Sequence, residues 1–306
     1  MTMDLSEFQG RTAVITGAGS GLGLETARLA ARLGMNLVLA DVMPAALDAA
    51  AAELRAAGAA VLERVVDVRF AAEVETLGAA TQARFGAPHL VFNNAGVGAG
   101  GLIWEHTVKD WEWVLGVNLM GVAHGVRVFT PMMLAAERAD PGYRGHIVNT
   151  ASMAGLVNMP VMGVYNVSKH AVVSLSETLY QDLALVSQRV RAHVLCPAFV
   201  PTGIAHSDRA RPADTRGPAV EATASQRIAQ AQIDRAVASG KITAADVARF
   251  VFESLHEDRF YIYSHPQALA VVTTRAEDIV HGRNPADPYA ARPELGEQLR
   301  VALRAG

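Results

Sequence analysis

Cysteine is almost absent from this chain of 306 residues, which contains only Cys196. A single cysteine cannot form an intramolecular disulfide, so nothing in the sequence requires an oxidising compartment. The N-terminus has no basic segment followed by an apolar one, and no uninterrupted apolar run approaches membrane-spanning length. We therefore expect a cytoplasmic protein that does not bind a membrane.

Clustered positive charge and metal-ligand motifs are also missing. The formal net charge is -3, and no dense group of Lys and Arg offers the positive surface that nucleic acid requires. None of the ten histidines pairs with another His, a Cys or a carboxylate in a recognisable ligand motif, so we predict no metal site. These absences leave a small soluble molecule as the expected partner.

Apolar sequence is abundant and is arranged as alternating strands and helices. Hydrophobic residues make up 51% of the chain, enough for a large core. From Thr12 to Pro197, short β-branched runs alternate with longer Ala/Leu-rich segments. This pattern predicts an α/β fold, a doubly wound parallel sheet of the Rossmann type flanked by helices. The predicted strands are 12–16, 36–40, 61–67, 89–93, 145–150, 191–195 and 260–264.

The alternating pattern ends after Pro197. Residues 202–240 are rich in Ala, Arg, Asp, Gln and Pro, which is typical of a mobile, partly helical lid. Helical periodicity returns at Thr243, which together with Asp246 resembles a capping box. We predict one dinucleotide-binding catalytic domain over residues 1–264, lid included, and a C-terminal extension over 265–306 that packs on the same domain.

A glycine-rich turn follows the first predicted strand, with the sequence Thr16-Gly-Ala-Gly-Ser-Gly-Leu-Gly23. Glycine lets the backbone approach a pyrophosphate closely, and the amides at the start of the next helix attract its charge. The alternative is a tight strand-to-helix connection without a ligand, but the position after the first strand favours phosphate binding. The predicted contacts here are Gly17, Gly19, Ser20, Gly21, Leu22 and Gly23.

Asp41 ends the second predicted strand, where a carboxylate can accept both ribose hydroxyls of adenosine. An Asp at this position could also cap the helix that begins near Pro44, and both roles are compatible. A carboxylate would repel a 2′-phosphate, and the next residue is Val42, not an arginine that could offset it. We therefore predict NAD as the cofactor in preference to NADP.

Tyr165 and Lys169 are spaced i,i+4, which on a helix places them one above the other. A free phenol ionises near pH ~10, and an adjacent ammonium favours the phenolate, so such a pair can act as an acid and base near neutrality. Taken alone, the pair is more often a half-buried aromatic beside a solvated amine. The glycine turn and Ser152 upstream of it favour a dehydrogenase.

Together these motifs closely resemble those of the short-chain dehydrogenase/reductase family in its short, single-domain form. The match runs from about Gly10 to Ser264, with the motifs in family order. The resemblance implies the catalytic set Asn118, Ser152, Tyr165 and Lys169. It also implies further cofactor contacts at Asp67, Val68, Asn94, Ala95, Gly96, Tyr165, Lys169, Pro197, Val200 and Thr202.

The resemblance also assigns roles to the catalytic set. Tyr165 would protonate a carbonyl during reduction or deprotonate an alcohol during oxidation, while hydride moves between the substrate carbon and the nicotinamide. Ser152 would hydrogen-bond the substrate oxygen. Lys169 would lower the phenol pKa and hold the nicotinamide ribose, and Asn118 would anchor a water chain leading to Lys169. Two departures stand out: Ala198 replaces a glycine usual in the loop over the nicotinamide, and the tail beyond about His265 is longer than usual.

The substrate depends on pocket residues, because one fold of this kind serves many substrates. The predicted pocket residues Met153, Met159, Met162 and Phe199 are apolar, and Trp104 could add aromatic surface, although several of these could equally be core residues. Arg209, Arg211 and Arg216 could hold an anionic tail, although a solvated charged loop is the simpler interpretation. The expected reaction interconverts a bulky apolar or aromatic secondary alcohol and its ketone.

Three other functions stay open at this stage. The first is 3-oxoacyl thioester reduction, and the second is a regulatory protein that senses NAD without turnover, although such proteins generally lack an intact Tyr/Lys pair. The third is an epimerase or dehydratase, whose relatives differ in glycine spacing and carry a larger C-terminal region. The resemblance also implies a homo-oligomer, a tetramer or dimer, formed through the long helices predicted around 107–133 and 164–186.

Overall fold

A seven-stranded parallel sheet forms the centre of the computed structural model, which describes residues 5–217 and 221–305. The predictions for residues 1–4, 218–220 and 306 lie outside the described residues. The strands follow one another in space as β3, β2, β1, β4, β5, β6 and β7. Their bounds are β1 Thr12–Thr16, β2 Asn36–Asp41, β3 Val61–Val65, β4 Leu90–Asn93, β5 Gly145–Thr150, β6 Val190–Cys196 and β7 Tyr261–Tyr263.

Helices cover both faces of the sheet, which confirms the predicted doubly wound fold. Successive residues of one strand point to opposite faces, so Ile15 packs in a cluster with Phe252 while Val14 packs in another with Phe129. Every residue of β1 and β5 is buried, as expected for central parallel strands. The helices are α1 Gly21–Arg32, α2 Pro44–Ala56, α3 Ala71–Phe85, α4 Val108–Leu115, α5 Gly121–Ala139, α6 Gly163–Val186, α7 Ala224–Ala238, α8 Ala244–His256, α9 Leu269–Val280 and α10 Pro293–Ala305.

The strand order reverses between β1 and β4. From this pair the chain proceeds outward in both directions, so the connections leaving the two strands diverge and open a crevice at their carboxyl ends. The glycine turn after β1 and Asn94 after β4 lie at this reversal. The motifs identified in the sequence therefore converge on one edge of the sheet.

The predicted strands agree with the structure to within one residue at each end, with one exception. The third strand was expected to reach Asp67 but ends at Val65. The carboxylate of Asp67 accepts hydrogen bonds from the Arg69 backbone N–H (3.1 Å) and from its guanidinium, which turns the chain out of the sheet. The capping box at Thr243 and Asp246 is confirmed at the start of α8.

Helices α4 and α5 are joined by a π-helical segment, Gly116–Met120, into one continuous run. By length and composition this run, Val108–Ala139, is long and apolar enough to cross a membrane, although charged residues such as Asp110 and Arg127 interrupt it. Its residues Val122, Phe129 and Met133 are buried in the apolar clusters of the core. Core packing therefore accounts for their apolar character.

The segment after β6 is partly helical, as predicted for the lid. It contains 3₁₀ turns at Gly203–Ala210 and Ala213–Thr215, followed by α7. Two ion pairs fasten it: Asp214 to Arg69 at 3.0 Å, and Arg211 to Asp110 at 2.8 Å. The mobility of this lid stays a prediction.

The C-terminal segment packs on the body formed by the sheet and its helices. Leu269 and Val272 of α9 lie against the apolar cluster that includes Val172 and Cys196. Leu299 of α10 is buried, and α10 lies beside α7 of the lid. The tail therefore contacts both the core and the lid, while the division into a domain and an extension stays a prediction.

Candidate active site

A cavity of about 520 Å³ occupies the crevice at the carboxyl ends of the strands. It runs from the glycine turn and Asp41, past Tyr165, to the lid and the start of α9. All the predicted cofactor and pocket residues line it except Gly19 and Gly23. Of the predicted catalytic set, Ser152, Tyr165 and Lys169 line the cavity, and Asn118 lies behind its wall.

The glycine turn is built so tightly that side chains would not fit. A Cβ on Gly23 would overlap the carbonyl oxygen of Gly17, and a Cβ on Gly17 would lie 2.9 Å from the Cα of Ala95. Gly17 and Gly21 also have positive φ angles, 65° and 56°, which glycine adopts without strain. The sequence pattern predicted these glycines, and the close contacts and positive φ angles of the turn explain why glycine is needed there.

Asn94 fixes the turn against the neighbouring strand. Its backbone N–H donates to Thr16 Oγ1 at 2.9 Å, and its side-chain amide donates to the Thr16 carbonyl at 3.0 Å. Helix α1 begins at Gly21, within the glycine turn, and its N-cap, Ser20, makes no side-chain capping bond. The positive end of the helix dipole is therefore available to an anion. The glycine turn leaves free the space that side chains would fill, and that space suits a pyrophosphate.

Asp41 lies at the wall of the cavity with its carboxylate held from two sides. One oxygen accepts from the Gly19 N–H at 2.8 Å and the other from the Met43 N–H at 2.9 Å. The capping role considered for Asp41 is not found, since the N-cap of α2 is Met43 and has no side-chain capping bond. Asp41 instead holds the turn before α2 and presents a negative group to the cavity. Gly19 acts through this bond, since it does not line the cavity itself.

Asp67 and Val68 line the cavity beside Arg69, a residue that the sequence did not indicate. The Arg69 side chain is largely buried and bridges Asp67 (2.6 Å) and Asp214 of the lid (3.0 Å). This bridge joins the part of the cavity wall that holds the predicted cofactor contact Asp67 to the lid. The two carboxylates are 147 residues apart in the chain, since Asp67 and Asp214 differ by that number, so no local pattern could reveal it.

Ser152 follows β5 and Tyr165 lies in the first turn of α6, across the same end of the cavity. The Ser152 hydroxyl accepts from the Ala154 N–H at 3.1 Å and lies 3.3 Å from the Pro197 carbonyl. Although the Tyr165 ring is only half-buried, desolvation raises the pKa of its phenol, and the nearby Ser152 side chain acts in the opposite direction.

Lys169 lies one helical turn after Tyr165, as the spacing predicted. Its Nζ is 5.7 Å from the centre of the Tyr165 ring and donates to the Thr150 carbonyl at 2.8 Å. The side chain is 2% exposed, and burial lowers the pKa of Lys169 from 10.5 to about 8. The expected lowering of the Tyr165 pKa by Lys169 is not seen in the protein alone, where burial dominates, and it stays a prediction for the complex with cofactor.

Asn118 is fully buried in the π-helical segment between α4 and α5. Its side chain accepts from the Val97 N–H at 2.8 Å and donates to the Val97 carbonyl and to Ser168 Oγ, both at 3.0 Å. It thereby ties the loop after β4 to α6, the helix that carries Tyr165. Asn118 therefore lies in the irregular, π-helical segment and also positions the loop after β4 against α6. The water chain leading from Asn118 to Lys169 stays a prediction.

Ala198, where the family usually has glycine, causes no strain in the loop after β6. Its φ is not positive, and its N–H donates to Ser264 Oγ at 3.0 Å. Pro197, Val200 and Thr202 of this loop all line the cavity. Thr202 Cγ2 and Cβ would lie 3.3 Å from a Cβ on Gly21, so the loop closes onto the glycine turn.

All four predicted pocket residues are apolar and line the cavity. Met159 is fixed because its carbonyl accepts from the Asn166 side chain at 2.8 Å. Trp104 was a wrong expectation: it is 76% exposed and does not line the cavity, because it lies on an outward-facing 3₁₀ turn. Residues not singled out in the sequence complete the wall, from the lid Ile204, Ile233 and Val237, and from the tail His265, Gln267, Ala268 and Val271.

The three lid arginines have different surroundings. Arg211 pairs with Asp110 and lies over the Trp113 ring at 4.6 Å, so it fastens the lid. Arg216 donates to the backbone carbonyls of Arg211 and Asp208. Arg209 lines the cavity, with its Nη2 3.5 Å from Ser20 Oγ. The arginines therefore do not form one cluster for an anionic tail.

Val161, between Ser152 and Tyr165, has a φ of 55°, a conformation that β-branched residues rarely adopt. It is buried, and its carbonyl accepts from the Gly101 N–H at 2.8 Å. Such strain persists only where surrounding contacts impose it, and it is common at functional sites. No sequence signal could have found it, because valine is an unfavourable residue for this backbone geometry.

Comparisons with known proteins agree with this architecture. A family model described as short chain dehydrogenase matches residues 11–213. A crystal structure of a short chain dehydrogenase/reductase from Burkholderia phymatum, in complex with NAD, is 56% identical with a TM-score of 0.89, covering 92% of this chain and 98% of that one.

Two curated relatives match over most of their length. The "CLA biosynthesis dehydrogenase/reductase" of Lactiplantibacillus plantarum is 33% identical over 90% of this chain and 95% of its own. The "1-deoxy-11-beta-hydroxypentalenate dehydrogenase" of Streptomyces arenae is 34% identical over 89% of this chain and 88% of its own. The family model covers more than half of the chain. The parallel sheet, the glycine turn and the Ser/Tyr/Lys group all agree with that family. This chain therefore belongs to the short-chain dehydrogenase/reductase family of oxidoreductases.

Proposed function

We propose that this protein interconverts a bulky apolar secondary alcohol and its ketone, with NAD as cofactor. The observation that carries the proposal is the placement of Ser152, Tyr165 and Lys169 together on the wall of a cavity that begins at a glycine cradle. The similar Burkholderia phymatum protein is in complex with NAD, which supports the choice of cofactor. When bound, the nicotinamide supplies the hydride acceptor or donor.

The protein's own groups would handle the proton and hold the substrate oxygen. In oxidation, the Tyr165 phenolate takes the hydroxyl proton, a C=O bond forms, and the carbinol C–H bond breaks with its electron pair leaving as hydride. Ser152 donates a hydrogen bond to the oxygen on which charge develops. Lys169, with its ammonium held by the Thr150 carbonyl, stabilises the phenolate. In reduction the same phenol returns the proton.

The choice of an apolar substrate rests on four apolar residues that line the cavity, Met153, Met159, Met162 and Phe199. Methionine adapts to irregular ligands, so these residues suit a bulky molecule without fixed polar groups. The Streptomyces arenae relative is named for a hydroxy compound and for its oxidation, which fits an alcohol substrate. The thioester alternative ranks lower, because Arg211 and Arg216 already have partners within the protein.

The test is a panel of secondary alcohols mixed with NAD, with NADH formation followed at 340 nm. Turnover concentrated in bulky apolar or aromatic alcohols would support the proposal. Oxo-thioesters linked to a charged carrier are assayed with NADH in the reducing direction. Turnover of these substrates alone would replace the proposed function with thioester reduction. Binding of NAD without turnover on a broad panel would favour the sensing alternative.

Asp41 is expected to set the cofactor preference. A 2′-phosphate about 4 Å from its carboxylate would be repelled by roughly 1 to 4 kcal/mol, so kcat/KM should be at least about fivefold higher with NAD than with NADP. Asp41→Asn keeps an acceptor for the Gly19 N–H but removes the charge, and should reduce that ratio about fivefold or more. Steady-state kinetics with both cofactors measures it.

Asp48→Asn is the matched control, since Asp48 is exposed on α2 and does not line the cavity. It should leave the ratio of the two efficiencies unchanged. Equal efficiencies of the unmodified enzyme with NAD and NADP would contradict the assignment to Asp41.

The proposal includes a homo-oligomer, a tetramer or dimer, formed through α4, α5 and α6. These helices and the π-helical segment that joins α4 to α5 carry exposed large apolar side chains, among them Val108 (73% exposed), Met120 (44%) and Val167 (43%). Burying such side chains against a second copy would stabilise an assembly. Helix α6 holds Tyr165 and Lys169, and the π-helical segment between α4 and α5 holds Asn118, so assembly would also support the site.

A further inference from the structure

We propose that Arg209 of the lid binds the diphosphate of the dinucleotide and thereby couples cofactor binding to lid closure. The inference rests on the proposed cofactor and adds a residue that lies outside the glycine turn. It concerns the 3₁₀ segment Gly203–Ala210, which reaches across the cavity opening toward the start of α1.

The position of the guanidinium is the first argument. Arg209 lines the cavity, and its Nη2 lies 3.5 Å from Oγ of Ser20, the N-cap of α1. Its planar group lies directly on Gly203, where a Cβ would overlap Nη1, Nη2 and Cζ. A glycine at this position therefore permits the guanidinium to reach the phosphate turn.

The electrostatics are the second argument. Arg69 and Arg211 each pair with carboxylates, but no carboxylate among residues 5–217 and 221–305 forms an ion pair with Arg209. The cation faces the positive end of the α1 dipole, so the two repel each other in the protein alone. An anion between them would interact favourably with both. A diphosphate suits this position, because guanidinium binds phosphate oxygens with paired, charge-assisted hydrogen bonds.

The negative group nearest to the turn does not neutralise this charge. Asp41 directs its two oxygens to the N–H groups of Gly19 and Met43 on the ribose side of the turn. Asp208, beside Arg209 in the chain, is exposed and lies 3.9 Å from Arg211 instead. Arg209 is therefore free to pair with a ligand phosphate.

The segment that carries Arg209 is also connected to the rest of the lid. Ser207 accepts from the Gly98 N–H at 2.9 Å, and Gln230 of α7 donates to the Ala205 carbonyl at 2.9 Å. A diphosphate held by both the turn and Arg209 would add one more bond between the lid and the sheet. Cofactor binding would then order the lid before substrate enters.

The experiment compares three ligands on the full-length protein: NADH, ADP-ribose and adenosine. Arg209→Gln should raise the Kd for NADH and ADP-ribose roughly tenfold to a hundredfold, the usual size of a charge-assisted contact. It should change the Kd for adenosine, which lacks the diphosphate, less than about twofold. Arg209→Lys, which keeps the charge, should recover part of the loss.

Arg235→Gln, an exposed change of the same charge on α7 outside the cavity, is the control and should change neither Kd. Hydrogen exchange gives a second readout: ADP-ribose should slow exchange in residues 203–217 of the unmodified protein and not in Arg209→Gln. An unchanged Kd for ADP-ribose in Arg209→Gln, or an equal loss for adenosine, would overturn the role of Arg209. Failure of the unmodified protein to bind either NADH or ADP-ribose would overturn the proposed cofactor itself.

Discussion

Replacing Tyr165 by phenylalanine is expected to lower kcat about a thousandfold and to leave the Kd for NADH within about twofold. The substitution removes only the phenol oxygen, so the half-buried ring still fills its place on α6 beside Lys169. What is lost is the group that takes the alcohol proton, and a positioned acid or base contributes about 10² to 10⁴ in rate. Single-turnover rates at 340 nm and NADH fluorescence titration measure the two quantities.

Tyr180→Phe is a matched control on the same helix, where the ring packs against Phe260 outside the cavity. It should change neither rate nor affinity. If Tyr165→Phe retained more than about a tenth of the activity, another group would have to move the proton and the assignment of Tyr165 would be wrong.

Replacing Lys169 by methionine is expected to abolish turnover and, unusually for a catalytic change, to stabilise the fold. The ammonium is 2% exposed and its pKa is lowered from 10.5 to about 8, a difference equivalent to roughly 3 kcal/mol of destabilisation at neutral pH. Methionine is similar in length and carries no charge. It leaves the Thr150 carbonyl without its donor, which costs about 1 kcal/mol, so a net gain of about 2 kcal/mol is expected at pH 7.

The pH dependence distinguishes this explanation from improved packing. Between pH 8 and 10.5 the unfolded chain still binds a proton at residue 169 and the folded protein does not, so the stability of the unmodified protein rises through that window. The advantage of Lys169→Met should therefore be largest below pH 8 and disappear toward pH 10.5. Urea denaturation at pH 7 and pH 10 measures it, with Lys241→Met, an exposed lysine, as the control that should gain nothing.

A destabilised protein at pH 7 would show that Lys169 is held mainly by its contacts and not strained by burial. A stabilised protein with full activity would exclude Lys169 from the chemistry.

The parts of the site that could be predicted are those in which spacing along the chain fixes position in space. Gly17 and Gly23 lie in one turn, and Tyr165 and Lys169 lie four residues apart on one helix, so local geometry places them. The ends of parallel strands meet at one edge of the sheet, so Asp41, Asn94 and Ser152 could also be located.

The rest of the site depends on contacts between distant parts of the chain. Ser207 meets Gly98 and Arg69 meets Asp214 only after the lid has folded over the sheet. Tail residues such as Val271 complete the substrate end in the same way. Trp104 was misplaced because an aromatic residue in a loop has no periodicity to show which way it faces. These positions follow from tertiary packing and not from a local pattern.

The most direct test of hydride transfer between a secondary alcohol and the cofactor uses the best alcohol of the panel, deuterated at its carbinol carbon. After reaction with NAD, the reduced cofactor is isolated and its mass is measured. Direct hydride transfer predicts one deuterium in the reduced cofactor and a ketone without deuterium. Deuterium retained in a product with no net cofactor reduction, as an epimerase would give, or deuterium lost to water, would contradict an alcohol dehydrogenase.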